Sequence, residues 1–550
     1  MRCPSAIFVA LVACSGAEKP TESPGSDGQD NPGTDTDTDT DSGADSGVPG
    51  PIPEPGPPCA APVDEPAYVE SDPSGVLAQV ISELNHTAQG VAVADLDSDG
   101  RLDLILPEME RVVILMNDGE LGWRDETEER LGELGRMRLV SPVDLDGDGA
   151  PELSFHSRED GMRLFQNDGT GHFTRLRDRG MGGLVNHKLR ALAWADQDGD
   201  GDLDVWMSSD GTNSFDPTDR RFLQTGPMEF TESTDELPEA SARGYAKGAV
   251  LLDLDMDGHT DVLTYHHLAD VGGGNVMLAG GADGALVAVA DNGLDVTMSA
   301  MGAAVADLNG DLRPDIALSD FEPPELFLSL DDKTWFMGGA AANIFTDEDR
   351  DQIASWGIVL DDLDLDGDLD LASVFGPTDD PEEIEELGRV NPMEQPDEIW
   401  AQDADGKYTP VGEAWGFSSV DVGRGLATAD FDGDGMLEII TAGQAAPVRV
   451  FRSPCTAGEW LQVDLHGLPE NRQGIGARVS VEAGGKTHTR WVMAGGLSHM
   501  TSQPTRLHFG LGTVDRVDVI RVRFPDGTEV EDREAGLRTV HTVVHPEAAR

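Results

Sequence analysis

Basic residues are scarce in this chain, which has 38 Lys and Arg against 104 Asp and Glu and a formal net charge of −66. A protein this anionic repels the phosphates of DNA, RNA and anionic lipid, which excludes binding to them through a broad basic face. We therefore expect no nucleic-acid partner, and membrane contact only through a lipid anchor. The composition favours cations or basic molecules as partners.

Long hydrophobic runs are also missing near the N-terminus. The apolar run Ala6–Ala13 follows Arg2 and is too short to span a bilayer, but it has the length of a secretory signal. Leu11, Val12, Ala13 and Cys14 resemble a bacterial lipobox, in which the cysteine is acylated. Residues 1–14 are thus predicted to be a signal peptide with a lipobox. The protein would be an exported outer-membrane or cell-surface lipoprotein, or a secreted protein if Cys14 is trimmed away.

Cysteine is rare, with only four in the chain. Cys3 would leave with the signal and Cys14 would be lipidated, so that Cys59 and Cys455 remain. A cysteine pair in an exported protein is usually bonded, and we expect a Cys59–Cys455 disulfide. No spacing indicates a metal-binding or catalytic thiol.

Recognisable catalytic motifs are absent as well. The sequence contains no HExxH, no GxSxG and no glycine-rich phosphate loop with lysine, and we predict no enzyme activity. The adjacent His266 and His267 read as surface and packing residues. Arg472 and Arg478 leave two alternatives open, which are binding of a carboxylate or sulfate and ordinary pairing with nearby acids.

What the chain does have is a low-complexity start and then a repeat. Residues 15–65 hold "TDTDTDTD" (Thr34–Asp41) and a proline-rich stretch, which bury too little apolar surface to fold and predict a disordered acidic linker. Beyond it, an acidic nine-residue pattern recurs about every 50 residues, which is typical of repeat architectures. Its seven copies, here called the acidic loops, begin at Asp95, Asp144, Asp196, Asp253, Asp307, Asp362 and Asp430.

Each acidic loop lies between two short apolar runs of strand length, and Asp-Gly or Asn-Asp-Gly hairpins further on supply two more strands. Four antiparallel strands repeated seven times predict an all-β, seven-bladed β-propeller over residues 66–455. The last blade lacks its own fourth strand, which we expect residues 66–84 to supply. Small residues five positions before most loops (Gly90, Gly248, Gly302, Gly357 and Gly425) fit crowded inner strands around a channel.

The acidic loops carry the oxygen ligands that calcium prefers. Carboxylates at positions 1, 3, 5 and 9, with the carbonyl of position 7, could surround one ion per loop, up to seven in all. Position 12 holds no carboxylate and strands flank the loop, which excludes EF-hands. In the fifth copy Asn309 replaces an aspartate and Leu312 replaces the glycine of position 6, so that site should be weakest or empty. The predicted metal ligands are Asp95, Asp97, Asp99 and Asp103; Asp144, Asp146, Asp148 and Glu152; Asp196, Asp198, Asp200 and Asp204; Asp253, Asp255, Asp257 and Asp261; Asp307, Asn309, Asp311 and Asp315; Asp362, Asp364, Asp366 and Asp370; and Asp430, Asp432, Asp434 and Glu438.

The "DxDxDGxxD" loops between strands resemble FG-GAP or VCBS repeats, as in the propeller of integrin α subunits. That resemblance implies calcium loops with a structural role.

Residues 456–550 read as a small β-sandwich or barrel. Within them, "NRQGIGARV" (Asn471–Val479), "SQPTRLHFGLG" (Ser502–Gly512) and "FPDG" (Phe524–Gly527) resemble the ASPIC/UnbV domain, as in the cartilage acidic protein family, with Phe524 where a tryptophan is expected.

These features favour a calcium-binding, non-catalytic binding or adhesion module at the cell surface or in the medium. We expect a monomer whose partner is an extracellular protein or a glycan. Two alternatives stay open, namely a propeller enzyme acting on polysaccharide, as a lyase or hydrolase, and an envelope scaffold protein.

Overall fold

The computed structural model describes residues 59–83, 90–107, 111–119, 121–132, 134–135, 137–157, 159–177, 179–185, 187–211, 218–267, 274–331, 333–345, 353–377, 395–444 and 446–548. These belong to one compact unit, Gly50–Arg550. The predicted signal peptide, Cys14 and most of the predicted linker lie outside the described residues.

The apolar runs on either side of the acidic loops form buried strands. Strand β1 comes first, at Val69–Glu70, and six four-stranded antiparallel units follow within the described residues. We call each unit a blade. They are β2 (Ala92–Ala94), β3 (Asp103–Pro107), β4 (Val112–Asn117) and β5 (Trp123–Asp125); β6 (Leu139–Val143), β7 (Glu152–Ser157), β8 (Gly161–Asn167) and β9 (Phe173–Leu176); β10 (Leu189–Ala195), β11 (Asp204–Ser209), β12 (Arg220–Gly226) and β13 (Glu229–Glu232); β14 (Ala246–Leu252), β15 (Asp261–His266), β16 (Val276–Gly280) and β17 (Leu286–Val289); β18 (Ala303–Ala306), β19 (Asp315–Leu318), β20 (Glu325–Asp331) and β21 (Thr334–Met337); and β22 (Ser355–Asp361), β23 (Asp370–Phe375), β24 (Glu398–Gln402) and β25 (Tyr408–Pro410).

A seventh unit closes the series with a strand from the other end of the chain. It consists of β26 (Gly423–Ala429), β27 (Glu438–Gly443), β28 (Ala446–Arg452) and β1. Strand β1 pairs antiparallel with β28, with Val69 opposite Arg452, which confirms that residues 66–84 supply the missing strand. Next to this junction Cys59 and Cys455 form a disulfide with their Cα atoms 6.0 Å apart.

The blades are arranged as a closed ring. The first strand of each blade contacts the first strand of the next, through β2, β6, β10, β14, β18, β22 and β26, and β26 contacts β2 again. Because a ring leaves no open sheet at its ends, this arrangement avoids the exposed edges of a linear array. The predicted all-β propeller class is confirmed.

Helices are short and peripheral in the described part of the chain, and none there is long and apolar enough to cross a bilayer. They contribute little to the core, which is built from the strands. The α-helices are α1 (Val76–Glu83), α2 (Thr127–Arg130), α3 (Gly339–Ala342) and α4 (Gly412–Trp415), and the 3₁₀ turns are Thr234–Glu236, Glu239–Arg243 and Pro469–Asn471.

The C-terminal strands form two small sheets that pack against the ring. One has the order β34-β29-β37 and the other β31-β30-β35-β36. Their buried residues, such as Val463 and Val479, share one hydrophobic cluster with Leu192 and Val205 of the third blade. The apolar core is therefore continuous across residue 455. The strands are β29 (Glu459–His466), β30 (Arg478–Ala483), β31 (Lys486–Trp491), β32 (Ala494–Ser498), β33 (Thr501–Ser502), β34 (Leu507–Gly512), β35 (Val517–Arg523), β36 (Glu529–Asp532) and β37 (Val540–Val544).

One hairpin of the C-terminal segment leaves those sheets and enters the ring. Strand β32 pairs with β10 of the third blade, and β33 pairs in parallel with β2 of the first. Strand β32 also contacts the inner strands β6, β14, β18, β22 and β26. We call β32, β33 and the turn between them the central hairpin. The sequence analysis placed these residues in the C-terminal β domain and expected a channel inside the ring; in the structure the hairpin of that segment lies against the inner strands, where the channel was expected.

The central hairpin explains several of the small residues on the inner strands. A Cβ atom on Gly90 would lie 2.0 Å from the carbonyl oxygen of Met500, and one on Gly302 would lie 3.2 Å from the amide nitrogen of His499. The side chain of Ser498 accepts a hydrogen bond from the amide of Ile358 at 2.8 Å. Crowding was therefore predicted correctly. The hairpin causes it at Gly90, whereas at Gly248 and Gly357 the nearest atoms belong to Tyr265 and Leu426 of the blades.

Gly495 tests how tightly the hairpin fits. Its φ is +104°, and a Cβ there would lie 1.9 Å from the carbonyl oxygen of Leu192. Gly495→Ala should lower the free energy of unfolding by about 3 kcal/mol or more, because backbone strain and a clash with backbone add together. The measurement is urea unfolding followed by tryptophan fluorescence.

The matched control is Gly527→Ala, which also has positive φ, +86°, but faces open space. It should cost only about 1 kcal/mol, the strain alone. Equal losses in the two variants would contradict insertion of the hairpin into the ring.

Candidate metal centres

Each acidic loop joins the first and second strands of its blade, so that all seven lie at one end of the ring. Within the loop, the carboxylate of position 1 accepts a hydrogen bond from the amide of position 6. Asp95 accepts from Gly100 at 2.9 Å, and Asp362 accepts from Gly367 at 2.8 Å. The carboxylate of position 5 accepts from the amide of position 7, as Asp99 does from Arg101 at 2.9 Å. These contacts curl the backbone around the side chains of positions 1, 3 and 5.

The carboxylate of position 9 is buried and ties the loop to the sheet. In the first blade, Asp103 accepts from the amide of Leu96 at 3.0 Å and from the amide of Asn117 at 2.8 Å. In the third blade, Asp204 accepts from the amides of Gln197 and Gln224, at 2.9 and 2.8 Å. Position 9 thus satisfies one buried amide of the loop and one of the third strand.

The carboxylate oxygens of a loop converge on a common point. In at least five loops, one oxygen from each of three acidic residues lies within 4.8 Å of the others. Such spacing suits calcium, which takes several oxygen ligands at about 2.3–2.6 Å from one ion. The five sets are Asp95, Asp97 and Asp99; Asp144, Asp146 and Glu152; Asp196, Asp198 and Asp204; Asp253, Asp255 and Asp261; and Asp362, Asp364 and Asp370.

Several of these oxygens lack a hydrogen-bond donor among the described residues. Asp97 Oδ1, Asp253 Oδ1 and Glu438 Oε1 are buried and accept no hydrogen bond there. A buried carboxylate oxygen without a donor costs free energy unless a cation takes the donor's place. The residues at these positions therefore fit a hard divalent cation in both chemistry and spacing.

The carboxylate pKa values report the same uncompensated charge. Burial, with repulsion from neighbouring carboxylates, raises the pKa of Asp103 to about 7 and the pKa of Glu152 and Asp204 to about 8. The pKa of Glu438 is also raised, first by burial and then by Asp432 and Asp430. Without a cation the loops favour protons, because the charged forms are poorly solvated.

The fifth loop differs from the others as its sequence predicts. Leu312 takes position 6 with φ of +69°, where the other copies have glycine at φ of +88° to +99°. Leu312 still donates its amide to Asp307 at 2.9 Å, so the turn is retained at a cost in backbone strain. An amide, Asn309, stands at position 3 and carries no charge.

Position 4 is a feature that the sequence analysis missed. Its residue has positive φ in every loop, and glycine occupies it in only four: Gly147, Gly199, Gly310 and Gly433. Met256 and Leu365 adopt φ of +62° and +63° at the same position. The recurring glycine was a usable signal, but the side chains of the other copies obscured it.

The C-terminal strands cover the end of the ring that carries the loops. Arg506 donates to the carbonyl of Gly100 at 3.0 Å, and Arg472 donates to the carbonyl of Gly147 at 3.3 Å. Gln462 donates to the carboxylate of Asp430 at 2.6 Å, and Lys486 pairs with Asp368 at 3.1 Å. Arg472 thus contacts a loop through a backbone carbonyl, which is neither of the two alternatives raised for it from the sequence.

The histidine pair lies at the opposite end of the ring. His266 is the last residue of β15 and His267 follows it; both are buried, so they are packing residues but not surface residues. The Nδ1 atom of His266 lies 2.7 Å from the carbonyl oxygen of Gly244. Two adjacent residues of a strand point to opposite faces, so the sequence suggested that one histidine would be exposed. Both faces are buried at this end of the strand.

Comparisons with known families agree with the arrangement of loops and strands. The profile of the FG-GAP-like repeat matches residues 144–207 and 362–441, and that of "ASPIC and UnbV" matches residues 467–550. The chain therefore combines FG-GAP-like repeats with a C-terminal ASPIC and UnbV domain, which confirms both resemblances.

Among individual proteins, the chain is similar to cartilage acidic protein 1. It is 25% identical to the mouse protein over 518 residues, covering 85% of this chain and 74% of that protein. It is 24% identical to the human protein over 521 residues, covering 84% of this chain and 73% of that protein. Among solved structures, the BP39L lectin from Burkholderia pseudomallei superposes with a TM-score of 0.45 at 12% identity, covering 68% of this chain and 97% of the lectin.

The carboxylate at position 9 has two roles, as an acceptor for buried amides and as a predicted metal ligand. A mutation studied in the absence of calcium tests the first role alone. In EDTA, Asp103→Ala should lower the free energy of unfolding by about 2 kcal/mol. Two buried amides would lose their acceptor, at about 1–3 kcal/mol each, and relief of charge repulsion would offset part of that loss. The measurement is urea unfolding in EDTA.

The control is Asp405→Ala, an exposed aspartate in the hairpin between β24 and β25. It should change the free energy of unfolding by less than about 0.5 kcal/mol. No loss for Asp103→Ala in EDTA would show that position 9 serves only as a metal ligand.

Proposed function

We propose that this protein is a calcium-stabilised, non-catalytic binding or adhesion module, exposed at the cell surface or secreted. The observation that carries the proposal is the convergence of buried carboxylate oxygens in the acidic loops. Calcium bound there would add to the positive charge of the few basic side chains that already pair with single loop carboxylates, such as Arg130 with Asp97 and Lys333 with Asp255. Positions 1, 3, 5 and 9 would hold it, so each ion would join the first and second strands of a blade.

The placement of the loops supports a structural role for calcium. Four of the loops contact the C-terminal strands through Arg506, Arg472, Lys486 and Gln462. Neutralising the loops would relieve repulsion at the surface on which these strands rest. Calcium would then stabilise the ring and its C-terminal cover together, at the roughly millimolar concentrations typical of extracellular sites.

Export is proposed on the combined evidence of the signal-like N-terminus and the Cys59–Cys455 disulfide. A disulfide across the ends of the ring is expected to persist only in an oxidising compartment. Whether the chain is held at a surface depends on Cys14, and mass spectrometry of the mature N-terminus tests this directly. A diacylglyceryl group on Cys14 would establish the lipoprotein, and a terminus beyond residue 14 would indicate secretion.

Calcium should raise the thermal stability of the protein. A single site at 100 times its dissociation constant contributes about 2.7 kcal/mol, and several sites should move Tm by well over 10 °C between EDTA and 2 mM calcium. Differential scanning calorimetry measures the shift, with 2 mM magnesium as the control ion. An unchanged Tm would refute the calcium mechanism.

A single-loop variant should remove a single ion. Asp97→Asn takes one charged ligand from the first loop, and calorimetric titration should show about one calcium fewer than in the natural chain. Asp405→Asn, with an exposed aspartate outside the acidic loops, should leave the stoichiometry unchanged. Loss of all calcium binding in Asp97→Asn would indicate that the loops are not independent sites.

The binding function itself is tested with an array of glycans and extracellular matrix proteins, read in calcium and in EDTA. A binding module should retain particular ligands, and should lose them in EDTA when the ring loosens. A parallel screen for cleavage of polysaccharides addresses the enzyme alternative, and release of shortened or unsaturated sugars would replace the non-catalytic proposal. Absence of any ligand would favour the scaffold alternative.

A further inference from the structure

One residue of the third acidic loop departs from the pattern of all the other loops. Position 2 is apolar in the other six, and five of those six side chains lie in buried hydrophobic clusters. In the third loop this position holds Gln197, which is also buried, at 3% exposed. A buried amide where the other repeats have an apolar side chain has to be explained by what it contacts. The apolar residues at position 2 are Leu96, Leu145, Leu254, Leu308, Leu363 and Phe431.

The side-chain amide of Gln197 has no hydrogen-bond partner among the described residues. Both its Oε1 and its Nε2 are buried, and neither forms a hydrogen bond there. An unpaired amide in a protein interior costs free energy through its donor and its acceptor alike. A leucine would avoid this cost, and the other loops show that the fold accepts leucine at position 2. Gln197 therefore offers one donor and one acceptor that the described chain does not use.

The junction between the third and fourth blades differs from other junctions in a second way. In the first blade the side chain of Asn117 donates to the position-2 carbonyl of Phe431 at 2.8 Å, and in the second blade Asn167 donates to that of Leu96 at 2.9 Å. The equivalent residue of the fourth blade, whose backbone amide bonds position 9 as theirs do, is Gly280. A glycine has no side chain, so this bridge to position 2 of the preceding blade is missing.

Gln197 is among the residues that line a cavity where the third and fourth acidic loops meet the C-terminal segment. Its volume is about 480 Å³, within the range of roughly 300–1,000 Å³ that is typical of small-molecule sites. The lining includes the apolar side chains of Leu468, Phe524 and Pro525. We call this space the Gln197 cavity. The described residues that line it include no lysine or arginine, and its carboxylates belong to Asp196, Asp200, Glu470 and Asp526.

The lining favours a neutral ligand that is rich in hydroxyl groups. Anions are disfavoured, because the cavity presents carboxylates without a lysine or arginine to balance them. A cationic group would pair with the carboxylates and with Oε1 of Gln197, but it would leave the Nε2 donor without an acceptor. A hydroxyl group both donates and accepts, so two neighbouring hydroxyls of a sugar ring match the two ends of the amide.

We propose that the Gln197 cavity binds a neutral saccharide. Gln197 would accept a hydrogen bond from one hydroxyl and donate one to the next. A further hydroxyl would donate to Glu470, which is exposed and lies outside the acidic loops, so that a cation in the third loop leaves it available. The C–H face of the sugar ring would pack against Phe524 and Pro525. This inference rests on the proposed binding function, for which it names a site and a class of ligand.

The competing explanation is that the Gln197 cavity holds only water, which could also satisfy the amide. The substitution Gln197→Leu separates the two explanations. It introduces the residue of five other acidic loops and removes two unpaired polar atoms, so the variant should fold, with a Tm no lower than that of the natural chain. Only a saccharide site predicts that the same variant loses a ligand.

The experiment is saturation-transfer NMR on the full chain in 2 mM calcium. The neutral probes are glucose, galactose, mannose and N-acetylglucosamine, and glucuronate is the acidic probe. We expect at least one neutral sugar to give a saturable signal and glucuronate to give none. Absence of binding by every neutral sugar would overturn the proposal, as would binding of glucuronate with an affinity equal to that of the neutral sugars.

Two variants locate the site. Gln197→Leu should weaken binding of the neutral sugar about tenfold or more, the effect of losing two hydrogen bonds to the ligand. Its calcium stoichiometry should equal that of the natural chain, which shows that the third loop is intact. The control is Gln79→Leu, the same chemical change at an exposed position of α1 outside the cavity, which should leave the affinity unchanged.

Failure of the site and failure of the binding function give different results. Undiminished sugar binding in Gln197→Leu would overturn the site but leave the protein a binding module. Failure of all neutral sugars would overturn the site as well, and the array of glycans and matrix proteins would then decide the binding function separately.

Discussion

Repulsion between buried carboxylates at one end of the ring is the constraint on which the rest of the structure depends. Position 9 of each loop must be buried, because its carboxylate satisfies amides of both the loop and the third strand, as Asp103 does for Leu96 and Asn117. The other loop carboxylates are held close by the same turn. Raised pKa values, such as that of Glu152 near 8, express the free energy stored in this arrangement. A geometry that is favourable for the backbone is thus electrostatically unfavourable without a cation, and this makes the fold responsive to one.

Local spacing made much of this predictable from the sequence. The position of every acidic loop, the strands on either side and the strained Leu312 follow from patterns that span a dozen residues or fewer. The strand donated by Val69–Glu70 was predictable because the seventh repeat visibly lacked one. The positive φ at Met256 and Leu365 was not, since neither residue type signals such a conformation. The pairing of Asp210 with Lys188 and Lys247 was missed because the two lysines lie 59 positions apart in the sequence, and only the packing of the third blade against the fourth brings them together.

The central hairpin could not be inferred from its own sequence, since Ala494–Ser502 reads as an ordinary strand and turn. Its partners are seven inner strands scattered over most of the chain. The small residues that receive it were correctly interpreted as marks of crowding, but they do not reveal what crowds them. The ring is held from outside by β1 and the Cys59–Cys455 disulfide, and from inside by the hairpin. The donated strand with its disulfide and the central hairpin each join residues that are distant in sequence. The propeller therefore cannot be completed until the whole chain is present.

The acidic loops share one end of the ring for a structural reason. Each acidic loop begins where a first strand ends, so seven repeats in the same direction place all of their carboxylates at one end. That end is covered by a C-terminal segment whose arginines and lysine meet the loops, for example Arg506 at Gly100 and Lys486 at Asp368. The other end receives the strand starts, and among the described residues there Lys188, Arg190 and Lys247 pair with Asp210. The direction of the repeats therefore fixes where the loop carboxylates gather, and the C-terminal segment supplies cations that meet them there.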